Sequence, residues 1–497
     1  MSKIIIQNGN MCELDLPLKF AQKLYNEFAI RHPNAFYLRT RQRGMQNWDG
    51  KIHYITKTGQ FKIGLLPKVY DMCIEMGIKP KVVDMRQPLP KVSKVITKIG
   101  KYKLRPEQEK AVKAVINNTI GGKPFHIGVL DYTVNAGKTL IMSSLYLSYK
   151  KQLKTLLITN DSDWLNQARE EFKQYLPGED ITFVQGKVLN WSNFTIGMVQ
   201  SISRNMRFYQ KELSQIDMVL IDEADQGGSR QYQNVITRLF NTRIRIGLSG
   251  TIYMSKLAKD KVKNMNLECF FGKVLAEFKL RDSIKKGYST KTVVKMVPGK
   301  PWYGNWESDC ISYKEIYDDS ITNSYTAWLM AYSRLRWNIN QGRYPALVVC
   351  KHIAHCENLY KFFKKKLGDA YNIAYVHVNT KSKLRQQIMK DFRDGKIDIL
   401  VSTTIIARGK NFPKLRYLLN AASMDSQEKS IQFLGRLVRT DKSKKKVYLD
   451  DLHYPGNYLD RHGKHRKQYY QRQELKVILL DKLWLWKKHP NHSLIQS

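Results

Sequence analysis

The chain has 497 residues, of which 84 are Lys or Arg and 43 are Asp or Glu, giving a formal net charge of +41. Its length is typical of about three or four folded units, and a hydrophobic content of 42% excludes a wholly disordered chain. No apolar run approaches the roughly 18–20 residues of a membrane-spanning helix, and the six cysteines include no Cys-x-x-Cys pair. The excess positive charge indicates a polyanionic partner, above all nucleic acid.

Residues 1–95 are predicted to form a small α+β domain that binds nucleic acid. A short strand at Ile4–Ile6 precedes a helix over Leu18–Ile30, in which apolar residues recur at helical spacing. Strand-like runs at Ile52–Ile55 and Phe61–Leu65 lie on either side of a glycine-containing turn and predict a hairpin.

The following residues alternate apolar strand-like runs with helical stretches, which is the pattern of βαβ units and parallel sheets. A polar stretch that contains Trp302 and Trp306 divides the series. We therefore predict two tandem α/β domains over 96–284 and 285–450, followed by a basic helical extension over 451–497. The predicted strands are Thr155–Thr159, Met218–Ile221, Ile244–Leu248, Ala346–Cys350, Ala374–Val378, Ile397–Val401 and Tyr417–Asn420.

The first chemical motif is the segment Asn135-Ala136-Gly137-Lys138-Thr139, between an apolar strand and a helical stretch. Phosphate binding requires backbone N–H groups, a helix N-terminus and a nearby cation. Gly137 lets the backbone approach, Lys138 supplies the charge and Thr139 suits Mg²⁺. The motif departs from the usual pattern at Tyr132, where a glycine is common. A chance Gly-Lys-Thr turn is the competing interpretation.

The second motif is acidic and follows the predicted strand Met218–Ile221 directly, as Asp222-Glu223-Ala224-Asp225. Acidic residues at the carboxyl end of a buried strand are typical of metal chemistry in α/β sheets. We expect Asp222 to hold Mg²⁺ through water and Glu223 to orient and deprotonate the attacking water. The competing interpretation is an acidic first turn of a helix, which the helix dipole favours.

The third motif contains Gln432, Arg436 and Arg439, which would share one face of a helix. Both arginines suit a role as arginine fingers toward a γ-phosphate. An ordinary basic helix face is the competing interpretation in a chain this rich in Arg and Lys.

Weaker signals occur between these motifs. Gln108 has the donor and acceptor needed to read an adenine edge. Gln200, Thr403 and Thr404 follow predicted strands and suit contact with a sugar–phosphate backbone. Each of these alone is more often a simple turn.

Taken together, the segments LRPEQ, NAGKT, DEAD, SGT, TT…ARG and QFLGRLVR follow the chain order of superfamily 2 helicases, and the sequence resembles that family over about residues 100–445. The resemblance implies two RecA-like domains with ATP bound in the cleft between them. It implies catalytic roles for Glu223, Asp222, Lys138, Arg436 and Arg439, and Mg²⁺ binding by Thr139 and Asp222. It implies nucleotide contacts for Gln108, Arg105, Asn135, Ala136, Gly137, Lys138, Thr139, Gly409 and Gln432, and a role for Ser249 and Thr251 in linking hydrolysis to domain movement.

The N-terminal segment around Asn47-Trp48-Asp49-Gly50 and the later Phe61–Pro67 resemble the front domain of the UvsW-type helicases of tailed phages. That family acts on branched DNA, including recombination intermediates, stalled forks and R-loops. We expect Trp48 to be structural, buried in a hairpin turn, and the neighbouring cations Arg39, Arg41, Arg43 and Lys51 to contact nucleic acid.

The combined expectation is an ATP-dependent DNA helicase or translocase that uses ATP and Mg²⁺. Its expected partners are single-stranded and branched DNA, RNA or RNA–DNA hybrids, and single-strand-binding or recombination proteins, with no membrane. We expect a monomer in the cytoplasm, or in the host cytoplasm if the source is viral. An RNA helicase and a non-catalytic annealing or scaffold protein remain the alternatives.

Overall fold

The computed structural model describes residues 2–41, 45–149, 152–186, 188–252, 260–299, 312–407, 412–441 and 443–481. The chain forms two compact units, Met1–Phe278 and Lys279–Ser497. Within the described ranges, no helix combines the length and the apolar character needed to cross a lipid bilayer.

The first unit begins with short elements that form a small mixed sheet and its helices. These elements are β1 Lys3–Ile6, β2 Met11–Asp15, α1 Leu18–Glu27, β3 Ala29–Arg31, α2 Ala35–Arg41, β4 Lys51–His53, β5 Gln60–Lys62, α3 Leu66–Glu75 and β6 Lys81–Asp84. Four of the described strands pair in the order β5-β2-β1-β6, with β6 parallel to β1 and the other neighbours antiparallel. We refer to this part of the first unit as the front segment.

The predicted hairpin between Ile52–Ile55 and Phe61–Leu65 is wrong. The turn exists, but β4 pairs with β3 while β5 pairs with β2, and only Ile55 and Phe61 meet in an isolated bridge. Phe61 lies opposite Cys12 and both side chains are buried. Burial of the Phe61 ring in the core of the four-stranded sheet therefore decides the pairing, and local turn geometry does not.

The rest of the first unit is a βα series around a large sheet. Its elements are β7 Lys98–Ile99, β8 Tyr102–Lys103, α4 Pro106–Ile116, β9 Thr119–Ile120, β10 Lys123–Pro124, β11 His126–Tyr132, α5 Lys138–Ser148, β12 Thr155–Thr159, α6 Ser162–Tyr175, β13 Ile181–Gln185, β14 Val188–Leu189, β15 Phe194–Met198, α7 Val199–Arg204, α8 Gln210–Ser214, β16 Met218–Asp222, α9 Arg230–Ile236, β17 Ile244–Ser249, α10 Lys261–Phe271 and β18 Val274–Phe278.

Eight described strands of this series form one sheet in the order β14-β13-β15-β12-β16-β17-β11-β18. Every neighbouring pair is parallel except β13 and β14. The central strands β11, β12, β16 and β17 are buried along their whole length, which explains their mainly apolar sequences. The predicted RecA-like α/β fold of this region is confirmed.

The front segment shares a hydrophobic core with one face of this sheet. Ile4, Leu24 and Ile63 belong to the same buried cluster as Ile127 and Phe271. The two backbones approach so closely at Gly64 that a Cβ there would lie 2.1 Å from the carbonyl oxygen of Glu268. The front segment is therefore part of the first unit's packed interior.

A buried arginine fixes this packing. Arg245 on β17 is fully buried, and its guanidinium donates to the Gly9 carbonyl at 2.7 Å, to Asn10 Oδ1 at 2.8 Å and to the Phe270 carbonyl at 3.2 Å. Burial lowers the pKa of Arg245 to about 9, and the charge of Arg86 acts in the same direction. Three neutral oxygens thus solvate a buried cation where the front segment meets the sheet.

The second unit repeats the α/β arrangement. Its elements are α11 Leu280–Lys285, β19 Lys291–Pro298, α12 Tyr313–Tyr317, α13 Tyr325–Ile339, β20 Ala346–Cys350, α14 Ile353–Leu367, β21 Ile373–Val376, α15 Ser382–Asp394, β22 Ile399–Thr403, β23 Tyr417–Asn420, α16 Gln427–Leu437, β24 Lys446–His453, α17 Asn457–Arg472 and β25 Val477–Leu479. Seven described strands pair in parallel in the order β21-β22-β20-β23-β24-β19-β25. The last helix of the described residues is α17, and β25 adds an edge strand that the sequence did not predict.

Two buried ion pairs anchor helices to opposite faces of this second sheet. Asp450 on β24 pairs with Arg334 of α13 at 2.6 Å, and the next residue, Asp451, pairs with Arg466 of α17 at 2.8 Å. All four side chains are at most 1% exposed. Hydrogen bonds from Tyr417 to Asp450 and from neighbouring side chains to Asp451 satisfy the carboxylates further. Consecutive strand residues therefore hold α13 and α17 in place.

We expect Arg245→Met to loosen the front segment, because the Gly9 and Phe270 carbonyls and Asn10 Oδ1 would lose the cation that they solvate. The loss should be about 2–4 kcal/mol, seen as a fall of roughly 5–10 °C in the first thermal unfolding transition with faster proteolysis within residues 1–95. The exposed Arg238 provides the control, and Arg238→Met should leave both readouts unchanged. Equal thermal behaviour of the two variants would contradict this role of Arg245.

Candidate active site

The site residues predicted in the first unit lie along one edge of its sheet. The strands β11, β12, β15, β16 and β17 run parallel, so their carboxyl ends meet at the same edge. The residues at or just after these ends are Thr133, Asn160, Gln200, Glu223 and Ser249. This is the edge at which α/β sheets bind ligands.

The phosphate-loop motif forms a left-handed turn that leads into α5. Asn135 and Gly137 have φ values of 64° and 72°, and the helix begins at Lys138. Two separate reasons require glycine at position 137. Its φ is unfavourable for other residues, and a Cβ there would lie 2.3 Å from Gln108 Nε2. A left-handed turn before a helix N-terminus presents backbone N–H groups to an anion, which fits a phosphate.

The side chain of Gln108 supports this loop from α4. Its Nε2 donates to the Ala136 carbonyl at 2.8 Å, its Oε1 accepts from the Arg105 N–H at 2.8 Å, and it is only 2% exposed. Arg105 also donates to the Asn135 carbonyl at 3.3 Å. The amide that sequence reasoning assigned to adenine is thus engaged by the backbone of the phosphate loop.

The departure at Tyr132 has a structural explanation. The Tyr132 ring is fully buried, lies 6.0 Å from the Phe278 ring between centroids, and its hydroxyl donates to the Glu107 carbonyl at 2.7 Å. Tyr132 therefore joins the start of α4 to the strand that carries the phosphate loop.

The acidic motif concentrates negative charge beside Lys138. Burial raises the pKa of Asp222, and the charges of Asp225 and Asp161 raise it further, whereas Lys138 and the Glu223 N–H lower it. A buried carboxylate with acidic neighbours suits a divalent cation. The described residues contain no cluster of three or more metal-ligating side chains. The buried Asp222 carboxylate fits Mg²⁺, which is usually bound by one or two carboxylates together with phosphate oxygens and water.

Glu223 is held in an unusual conformation. Its φ of 53° is left-handed, a conformation that costs a non-glycine residue about 1–2 kcal/mol. Its carboxylate accepts from Gln226 Nε2 at 3.3 Å. Backbone strain at a predicted catalytic residue is typical of functional sites.

A chain of side-chain contacts reaches Glu223 from two other strand ends. Gln200 Nε2 donates to the Asn160 carbonyl at 3.3 Å, and Asn160 Nδ2 donates to Gln226 Oε1. Sequence reasoning included Gln200 and missed Gln226 as a site residue. Asn160 follows a predicted strand, which was the available signal, whereas Gln226 had none.

The Ser249-Gly250-Thr251 segment contacts the acidic motif directly. Ser249 Oγ donates to Asp225 Oδ1 at 2.7 Å and accepts from the Thr251 N–H at 3.1 Å. A Cβ at Gly250 would lie 3.1 Å from the Thr133 Cα, so this position favours glycine over the alanine common in the resembled family. The segment therefore joins the end of β17 to the acidic motif.

The predicted residues of the second unit lie at the end of α16 and after β22. Gln432 and Arg436 are half-buried on α16, but Arg439 lies beyond the helix, which ends at Leu437. The prediction that all three share one helix face is therefore wrong for Arg439, whose carbonyl accepts from Thr290 Oγ1 at 3.1 Å. The Val438 carbonyl also accepts a hydrogen bond, from the N–H of Thr290 just before β19, and the chain turns away from the helix there.

Thr403 and Thr404 lie where β22 ends. Thr403 is buried, and Thr404 is half-buried with its hydroxyl accepting from Lys429 Nζ at 3.3 Å. Gly409 and Arg43 lie outside the described residues.

The three described cations predicted in the front segment, Arg39, Arg41 and Lys51, are all exposed. Arg41 ends α2, with its guanidinium 5.2 Å from the Tyr37 ring centroid, and Lys51 begins β4. Trp48 is half-buried, not buried as expected, and its Nε1 donates to the Lys51 carbonyl at 2.9 Å.

Two known protein families match parts of this chain. Residues 101–254 match "Type III restriction enzyme, res subunit", and residues 331–441 match "Helicase conserved C-terminal domain". A curated relative, the provisionally named helicase 22 of Sulfolobus islandicus filamentous virus, is 23% identical over 71% of this chain and 64% of its own length. The ATP-dependent RNA helicase CHR1 of Candida albicans is 23% identical over 45% of this chain and 33% of its own length. The chain thus spans less than two thirds of either relative.

Solved structures show the same fold. The ATP-dependent Type ISP restriction-modification enzyme LlaBIII bound to DNA aligns with a TM-score of 0.58 and 13% identity, covering 84% of this chain and 35% of that one. The UvsW protein of phage T4 aligns over 96% of this chain and 98% of its own at 19% identity, with a TM-score of 0.43. The alignment with LlaBIII supports the fold, whereas the TM-score with UvsW is too low to support an argument.

We expect Gln108→Ala to raise the KM for ATP, because the Ala136 carbonyl would lose its donor and the phosphate loop its support. If Gln108 mainly supports the loop, the KM for GTP should rise by the same factor. If it mainly reads adenine, only the preference for ATP over GTP should fall. Steady-state hydrolysis of both nucleotides separates these outcomes, and Gln108→Glu, which keeps the acceptor for Arg105 but loses the donor, should resemble the alanine variant.

Proposed function

Because this chain belongs to the superfamily 2 helicases, we propose that it is an ATP-dependent DNA helicase or translocase. Its proposed role is to remodel branched DNA, by branch migration or by unwinding forks and R-loops, in recombination, repair or replication. The observation that carries the proposal is the grouping of the phosphate loop, Asp222, Glu223 and Ser249 at one edge of the first sheet. The net charge of +41 supports a polyanionic partner.

The residues of the first unit have distinct proposed tasks. The left-handed loop at Asn135–Gly137 and the Lys138 ammonium would hold the β- and γ-phosphates of ATP. Thr139 and Asp222 would hold Mg²⁺, which when bound neutralises charge on the phosphate oxygens. Glu223 would orient the attacking water and accept its proton. The raised pKa of Asp222 supports this assignment, because a nearby cation would favour the ionised carboxylate.

The second unit would complete hydrolysis. Arg436 and Arg439 are proposed to stabilise charge on the γ-phosphate, with Gln432 and Gly409 contributing contacts from the same unit. The hydrogen bond from Ser249 to Asp225 supports the proposal that this segment communicates the state of the acidic motif to the rest of the first unit.

The proposed preference for DNA is supported by the sequence resemblance of the front segment and of the LRPEQ motif to DNA-acting helicases. The alternative, an RNA helicase, is favoured by one observation: the relative CHR1 is named an ATP-dependent RNA helicase. Both functions use the same hydrolytic residues, so only the nucleic acid separates them.

We expect Glu223→Gln to lower kcat for ATP hydrolysis by about 10²–10⁴-fold, because the amide cannot accept the water's proton. Nucleotide binding should persist, since the phosphate loop is intact. Lys138→Ala should lose both hydrolysis and tight nucleotide binding. A matched control is Glu212→Gln, which removes a carboxylate on the separate helix α8 and should hydrolyse ATP normally. Normal turnover by Lys138→Ala would refute the proposed enzyme.

We expect single-stranded and branched DNA to stimulate ATP hydrolysis more than RNA of the same sequence. Forked, four-way and RNA–DNA substrates, each with and without ATP, would also show which structures are unwound. Because lysines and arginines would neutralise phosphates, binding to single strands should weaken with salt with a log–log slope of about −0.7 per phosphate contacted. Stronger stimulation by RNA would favour the alternative, and ATP-independent annealing without turnover would contradict both.

A further inference from the structure

Helix α2 of the front segment exposes two adjacent aromatic rings. Phe36 is 80% exposed and Tyr37 is 56% exposed, on a helix of only seven residues. Helical spacing places Phe36 on one face with Arg39 and Thr40, and Tyr37 on the neighbouring face with Arg41. Exposed rings of this size leave apolar area in water at a cost, and their alternation with cations on one helix indicates a ligand surface.

Phe36 lines a cleft of about 500 Å³, which we call the Phe36 cleft. Its wall includes Arg31, Arg39, Thr40 and Lys51. All four side chains are exposed, and none of the three cations forms an ion pair within the part of the chain that the structure describes. The cleft therefore combines an aromatic face with three cations, of which Lys51 also interacts electrostatically with Asp49.

The one carboxylate in the cleft wall is already committed. Asp49 accepts from His53 Nε2 at 2.7 Å and from the Lys51 N–H at 2.9 Å. The hydrogen bond from His53 lowers the pKa of Asp49 most, followed by the Lys51 N–H. Asp49 thus stabilises the turn that positions Lys51, and the Trp48 indole, bonded to the Lys51 carbonyl, secures the same turn.

We propose that the Phe36 cleft binds an unpaired segment of nucleic acid, with a base stacked on Phe36 and its flanking phosphates held by Arg31, Arg39 and Lys51. The inference rests on the proposed function and assigns to the front segment a binding site for single-stranded nucleic acid. Aromatic stacking on one face with cations beside it is the common chemistry of single-strand binding.

The geometry favours an unpaired segment over a duplex. In a duplex both faces of each base are occupied by neighbouring bases, so Phe36 has no free base to stack on. The cleft volume of about 500 Å³ is that of a small-ligand pocket, which suits one nucleotide. The cations favour a polyanion over an apolar protein surface.

The experiment compares full-length Phe36→Ala, Phe36→Leu and Phe36→Trp with the unmodified chain. Equilibrium binding is measured to a single-stranded oligonucleotide that carries one 2-aminopurine and to the blunt duplex of the same sequence. Phe36→Ala and Phe36→Leu should bind the single strand about 5–150-fold more weakly, whereas Phe36→Trp should retain affinity. Quenching of 2-aminopurine on binding should be smaller with the alanine and leucine variants, and duplex affinity should be unchanged.

The control is Leu18→Ala, which removes a side chain that is 77% exposed in the same front segment but does not line the cleft. Its affinity should equal that of the unmodified chain. Thermal unfolding of each variant confirms folding, and Arg39→Gln provides a second variant that should weaken single-strand binding and reduce the salt slope.

Unchanged single-strand affinity in Phe36→Ala, or full affinity in Phe36→Leu, would overturn the stacking inference. A changed oligomeric state with unchanged nucleic-acid binding would instead indicate a protein contact and would also overturn it. Failure of the proposed function is distinguishable, because it is seen in the unmodified chain as ATP hydrolysis that no nucleic acid stimulates.

Discussion

The buried guanidinium of Arg245 is the constraint on which the first unit depends. An unpaired cation in a protein interior is costly, and here three oxygens from the front segment and from the end of α10 compensate for it. Because Gly9 and Asn10 supply two of these oxygens, the compensation exists only when the front segment is docked. The core that Ile4 and Leu24 share with Phe271 then becomes continuous. The Phe36 cleft and the phosphate loop consequently belong to one packed body.

The candidate active site gathers groups that oppose one another electrostatically. Burial raises the pKa of Asp222, the charges of Asp225 and Asp161 raise it further, and Lys138 is the cation whose charge opposes this effect. Any ligand that binds this site in the folded chain adds to the free energy of unfolding. The strained backbone at Glu223 lies at the same place.

The order of elements and the parallel sheets could be predicted because buried parallel strands leave continuous apolar runs in the sequence. The position of the candidate site could also be predicted, since motifs that follow such runs must meet at one edge of the sheet. The pairing of β5 was not, because it depends on the distant Cys12. Nor was the contact of Gln108 with Ala136, which a linear motif does not show. The sequence wrongly placed Arg439 on helix α16, because the helix ends where the Val438 carbonyl accepts a hydrogen bond from Thr290, a residue distant in sequence. In each case a long-range contact overrode a local pattern.

The adjacent acids Asp450 and Asp451 have a consequence for how the second sheet assembles. A slip of β24 by one residue in either direction would still place an aspartate opposite one of the two arginines. It would place Leu449 opposite Arg334, or Leu452 opposite Arg466, and leave that guanidinium buried beside a hydrocarbon, at a cost of about 3–5 kcal/mol. Apolar parallel strands tolerate such slips, because every position carries a similar side chain. The two consecutive charges therefore fix the register of β24 in the sheet.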